Sequence, residues 1–68
     1  MKATFNLSDG RIITVKVQEN DLNRLYSRIA NYQTARELYK IICARNEEKD
    51  VRMFQGMGGY YMIAVPLK

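Results

Sequence analysis

Seven carboxylates, one thiol and no imidazole are the raw material for chemistry in this chain. Without histidine, the commonest general base is missing. Cys43 lies between Ile41-Ile42 and Ala44, in a stretch that reads as mid-helix. It has neither a histidine partner nor a helix N-terminus to lower its pKa, so it reads as a small buried hydrophobe. Asp9 falls in a turn sequence, Asp21 and Glu37 in expected first helical turns, and Glu19, Glu47, Glu48 and Asp50 near expected helix ends. Turn chemistry and the helix dipole account for those placements. No catalytic residue, metal ligand or cofactor site is assigned, and the chain is expected not to be an enzyme.

Gly56-Met57-Gly58-Gly59 has the letters of a glycine loop that clamps a nucleic-acid backbone or cradles phosphate. Both uses require a helix to follow. A strand-forming run follows here, and the Lys-Ser/Thr of a P-loop is missing. The segment reads as a hairpin loop with Met57 exposed at its tip.

The cations are more suggestive. Arg24 and Arg28 are four residues apart, as are Arg36 and Lys40. On two helices each pair would lie on an outer face, with Tyr32 at the link between them. A basic surface with an aromatic ring in it matches the footprint of phosphate contact. The net charge of +4 permits a nucleic-acid or acidic-protein partner, and it also serves solubility. No base-reading helix or aromatic sheet motif is identifiable.

The elements that must position these residues are legible in part. Ala3, Phe5 and Leu7 alternate with polar residues, and so do Ile13, Val15 and Val17. Period-two alternation marks half-buried strands. A two-residue Asp-Gly turn would split the apolar sets across faces. A three-residue Ser8-Asp9-Gly10 loop pairs Phe5 with Ile13 and Ala3 with Val15, with Gly10 left-handed in a G1 bulge. This register turns Ile12 outward.

Leu22, Leu25, Tyr26, Ile29 and Ala30 form a helical stripe over residues 20–31, with Asn20 or Asp21 as cap. Thr34-Ala35-Arg36-Glu37 spells a capping box, which predicts a second helix over 35–46. A single helix over 20–46 is the alternative. In the tail, Val51–Phe54 and Tyr60–Val65 read as strands, ended by Pro66.

The expected fold is α+β, in the order ββααββ: one domain over residues 1–68, an antiparallel sheet with two helices packed on one face. A chain this short has a marginal core. One cysteine and no histidine leave it without an intrachain disulfide or a structural zinc site. A homodimer is therefore expected. Ile12, Ile41, Met57, Tyr60 and Tyr61 supply apolar and aromatic surface with no evident place in the core. They mark the expected protein interface.

The leading functional expectation is a small protein-interaction module, an inhibitor, adaptor or regulator that occupies a partner's surface. The alternative is a sequence-nonspecific nucleic-acid-binding domain using Arg24, Arg28, Tyr32, Arg36 and Lys40. No apolar run reaches the roughly 18 residues of a membrane span, the N-terminus lacks a secretory pattern, and a lone Cys fits a reducing compartment. The expected location is cytoplasmic.

Overall fold

The structure is a computed structural model. It describes residues 1–47 and 50–67, and the backbone alone at residue 57. Among these residues five strands and one α-helix follow one another as β1 (Lys2–Asn6), β2 (Ile12–Glu19), β3 (Asn23–Ile29), α1 (Tyr32–Arg45), β4 (Arg52–Gln55) and β5 (Tyr61–Pro66), with a 3-10 turn at Met57–Gly59 between the last two. The strands form one antiparallel sheet in the order β1-β2-β3-β5-β4. The class is α+β, as expected, but the order is βββαββ and not ββααββ.

The first hairpin has the expected register. Phe5 pairs with Ile13 and Ala3 with Val15. Leu7 N–H donates to Arg11 O at 2.8 Å, and Gly10 takes a φ of 91°, a conformation that suits glycine. Asp9 accepts from the Arg11 amide and guanidinium, which holds its carboxyl below the usual range, the amide contributing most.

The expected first helix, residues 20–31, is the strand β3. Its Leu22, Leu25, Tyr26, Ile29 spacing fits a helix, yet a bulged strand also brings Tyr26 and Ile29 to one face. Between Tyr26 and Ile29 the register with β5 shifts, and Arg28 is left-handed at φ 64°. The extra residue returns Ile29 to the same face as Tyr26, and both are buried. Leu22 is 69% exposed, which an apolar helical stripe would not allow. Asn20 does cap, but it caps a turn: its Oδ1 accepts from the Leu22 and Asn23 amides at 2.8 and 2.7 Å. The polar Asn20-Asp21 start thus closes a hairpin from β2 into β3.

Only the second expected helix forms. It begins earlier than residue 35, because Asn31 is its N-cap and accepts from Gln33 N and Thr34 N. Thr34 lies buried inside the helix. Glu37 does not complete a capping box. It reaches out of the helix and accepts from Ser8 N–H at 2.6 Å, tying α1 to the hairpin loop. Asn46 closes the C-terminus by donating both its amide N–H and its Nδ2 to Ile42 O.

Helix α1 covers one face of the sheet. Ala35, Leu38 and Ile42, each at most 1% exposed, meet Phe5, Val15, Val17, Tyr26, Ile63 and Val65 from the strands. Phe5 packs edge-on against Tyr26, with the Arg45 guanidinium 5.1 Å from its centre on the helix side. Tyr39 donates its hydroxyl to Val51 O, which anchors the chain entering β4. The tail strands form as expected, each displaced by one residue. Gly56–Gly59 closes their hairpin, with Gly56 N–H donating to Tyr60 O. Among the described residues no helix is long and apolar enough to cross a membrane.

Candidate functional site

Among the described residues, none forms a layer over the second face of the sheet. Alternation along each strand assigns its residues. Phe5, Val15, Val17, Ile63 and Val65 point to α1, so Lys2 and Thr4, Thr14, Lys16 and Gln18, and Met62 and Ala64 point away. The ladder adds their cross-strand neighbours. Lys2 pairs with Lys16, Lys16 with Ser27, Gln18 with Leu25, Leu25 with Ala64, Ala64 with Arg52, and Met62 with Phe54.

One stripe crosses all five strands: Lys2, Lys16, the bulge at Ser27-Arg28, Met62 and Phe54. Four inter-strand steps of about 4.8 Å make it about 19 Å long. Its β1–β3 half carries Lys2, Lys16 and Arg28. Its β5–β4 half carries Met62 and Phe54, with Tyr60 next to them. Phe54 and Tyr60 are 46% and 47% exposed. Leu25 and Ala64 adjoin the stripe half-buried, and Arg52 flanks them. None of the strand positions on this face holds a carboxylate.

Arg28 is the pivot of the face. It lines the depression that contains Lys16, Gln18, Ser27, Tyr60 and Met62. It also lines the neighbouring one beside Met1, Lys2, Thr14 and Lys16. The bulge that restores Ile29 to the core is what displaces Arg28 into this position.

The basic residues expected to share one helical face do not. Arg24 and Arg28 are on a strand, so the helical spacing that joined them no longer applies. Arg24 lies on the α1 side, opposite Glu19 and Val65. Its Nε donates to Glu19 Oε2 at 2.8 Å, and that carboxylate raises its pKa further, with a lesser contribution from Tyr26. Tyr32 opens α1 and packs its ring 5.5 Å from that of Tyr61. Arg36 and Lys40 are exposed on α1, around a separate depression with Ser8, Gln33 and Glu37. Arg28 alone of this set joins the open face, beside Lys2 and Lys16.

The apolar candidates also divide. Ile41 has a place in the fold, half-buried against the core, and so does Tyr61. Ile12 is 68% exposed on the open face near the hairpin tip, and Tyr60 is on the open face within the stripe. The Met57 side chain lies outside what the structure describes.

Lys2, Lys16, Arg52, Phe54, Leu25 and Met62 are the members that sequence reading missed. For Lys2 and Lys16 the signal was present, since both occupy the outward positions of a hairpin whose register was legible. Phe54 and Met62 needed the β4–β5 pairing to show that they share a face.

The chemistry on offer is electrostatic attraction and stacking. Among the described residues no three His, Cys, Asp or Glu side chains gather where a metal could be held. Cys43 is a free, half-buried thiol packed against the core. No protein family, curated protein or solved structure matches this chain.

Proposed function

We propose that this chain is a non-catalytic binding module that takes single-stranded nucleic acid on its open sheet face. The observation that carries the reading is the composition of that face. Lys2, Lys16 and Arg28 occupy one half of the face and exposed Phe54 and Tyr60 the other, with Arg52 on the strand of Phe54, and no strand position there is acidic. Cations track a phosphate backbone, and exposed rings stack on bases whatever their identity. Stacking requires bases out of a duplex, so a single strand suits the face better than a double helix. The single free thiol fits a reducing compartment, and with it a cytoplasmic site of action.

Fluorescence anisotropy with a labelled single strand, and with the matching duplex, tests the reading at low salt. The single strand is expected to bind more tightly. Phe54→Ala and Tyr60→Ala are each expected to weaken it by about 1–3 kcal/mol, the worth of one stacked base. Absence of binding to any strand at low salt would end this proposal.

A second reading has its own observation. Leu25, Met62, Ala64 and Phe54 form a continuous apolar patch beside the cations, which suits an acidic protein surface with an apolar centre. The chain would then act as an inhibitor, adaptor or regulator by covering that surface. Self-pairing is the less favourable use of this face, because two copies would bring their cations together with no acidic strand position on either face to offset them. A homodimer would use another surface. Light scattering at high concentration checks for it, and Lys16→Glu/Arg28→Glu is expected to leave such a dimer intact.

A further inference from the structure

Beside Arg28 the sheet is split, and main chain lines the split. Val17 N–H donates to Met1 O and Leu7 N–H to Arg11 O, both at 2.8 Å. The odd-numbered residues of β2 therefore turn amide and carbonyl toward β1, and the even-numbered residues turn theirs toward β3. Lys16 and Gln18 meet Ser27 and Leu25 there. Thr14 is the next rung, and the ladder places no β3 residue opposite it. The chain has already bulged at Arg28 and carried Ile29 across to pair with Tyr61 of β5. A cavity of about 210 Å³ remains, with Ile13, Thr14, Arg28, Ile29, Ala30 and Asn31 among its walls.

We propose that this cavity holds one pyrimidine base of the bound strand, its edge against Thr14 N–H and C=O and its phosphate on Arg28 and Lys16. The inference rests on the single-strand reading and deepens it. An amide donor beside a carbonyl acceptor is the complement that a base edge requires. Ile13, Ile29 and Ala30 supply apolar walls for the ring. The volume lies below the roughly 300–1,000 Å³ of pockets for larger ligands and suits a single ring. Both depressions on the open face that border Arg28 also include Lys16, and one of them shares Thr14, Val15 and Arg28 with the cavity, so a strand running along the stripe brings its phosphates beside it. Arg28 keeps a left-handed backbone there, a conformation retained where the surrounding structure imposes it.

The experiment compares pyrimidine and purine homopolymer strands of equal length by anisotropy. The wild type is expected to favour the pyrimidine strand by about tenfold, the order of a paired base contact. Thr14→Pro deletes an amide that the β1 ladder does not use, so the hairpin register tolerates it. It is expected to reduce the preference toward unity while the salt dependence of binding persists. Ala30→Phe fills the cavity from an exposed wall without altering the strand, and is expected to do the same. Thr14→Val removes only the hydroxyl and is expected to keep the preference. Reading the ratio between variants separates the cavity from the self-stacking of purine strands, which no variant changes. A wild type without pyrimidine preference, or a preference that survives both Thr14→Pro and Ala30→Phe, would overturn the cavity and leave the single-strand reading standing. A wild type that binds no strand overturns both.

Discussion

Neutralising Lys16 and Arg28 together should change how binding responds to salt by an amount the structure sets in advance. Among the described residues, four side-chain cations lie on the strands of the open face: Lys2, Lys16, Arg28 and Arg52. If each meets one phosphate of a single strand, the slope of log K against log salt is about −0.7 per contact, or about −2.8 in all. Between about 50 and 200 mM salt the affinity then falls about 50-fold. Lys16→Gln/Arg28→Gln leaves two contacts, a slope of about −1.4 and a fall of about 7-fold over the same range. Glutamine keeps side-chain length near that of the original residues and leaves the left-handed cost at position 28 nearly unchanged. Both residues are exposed, so the melting temperature should move little. Anisotropy titrations at several salt concentrations give the slopes. Arg36→Gln/Lys40→Gln on α1 is the control and should leave the slope unaltered. Equal slopes for wild type and the open-face variant, or a reduced slope for the α1 variant, would refute placement of the strand on the sheet.

Three further outcomes probe the scaffold. Leu38 is fully buried at the centre of the core, so Leu38→Ala is expected to cost about 2–5 kcal/mol. A chain of 68 residues has only about 3–10 kcal/mol to lose, and urea unfolding should show a large fall in midpoint; a loss below about 1 kcal/mol would contradict the packing. Arg28→Gly relieves a left-handed non-glycine residue and is expected to stabilise the fold by about 0.5–1 kcal/mol while weakening strand binding, an opposition that thermal melts and anisotropy read separately. Hydrogen bonds from Ser8, its hydroxyl first and its amide second, hold the Glu37 carboxyl below its ordinary range, so this contact stabilises the folded state above that range and is lost as pH falls through the depressed value. Amide exchange at Ser8 should accelerate on acidification, after correction for intrinsic rates, and Glu37→Gln should flatten that response; a wild-type profile already flat would remove Glu37 as the latch.

Much of the local structure could be read from residues near one another in the chain. In the first hairpin, alternation and the turn sequence agree on one register, because a slip of one residue would expose Phe5, Val15 and Val17 together. The helix holding Leu38 and Ile42 and the two tail strands were legible for similar reasons, each having one period and a nearby stop. The site was less legible. Lys2 and Lys16 could be named as outward residues, but nothing local said that Arg28 would join them, since its left-handed backbone carries no glycine to announce it. Thr34 and Glu37 spelled a capping box, yet Asn31 capped the helix and Glu37 bonded to a loop far away in sequence. That choice depended on where the hairpin loop came to rest.

By itself, the sequence determined that a β-hairpin starts the chain, that an amphipathic helix lies in its middle and that a strand pair ends it. These follow from periodicity and turn chemistry, which act over a few residues. Only the tertiary structure decided what residues 20–31 become. Leu22, Leu25, Tyr26 and Ile29 suit a helical stripe, but a bulged strand also joins Tyr26 to Ile29, and β2 and β5 settle the matter by offering hydrogen-bonding edges on both sides. Among the described residues, that single choice leaves one α-helix instead of two and one sheet face uncovered. It also moves Arg28 from an expected helix surface to the bulge beside Lys16, where the proposed binding face is centred.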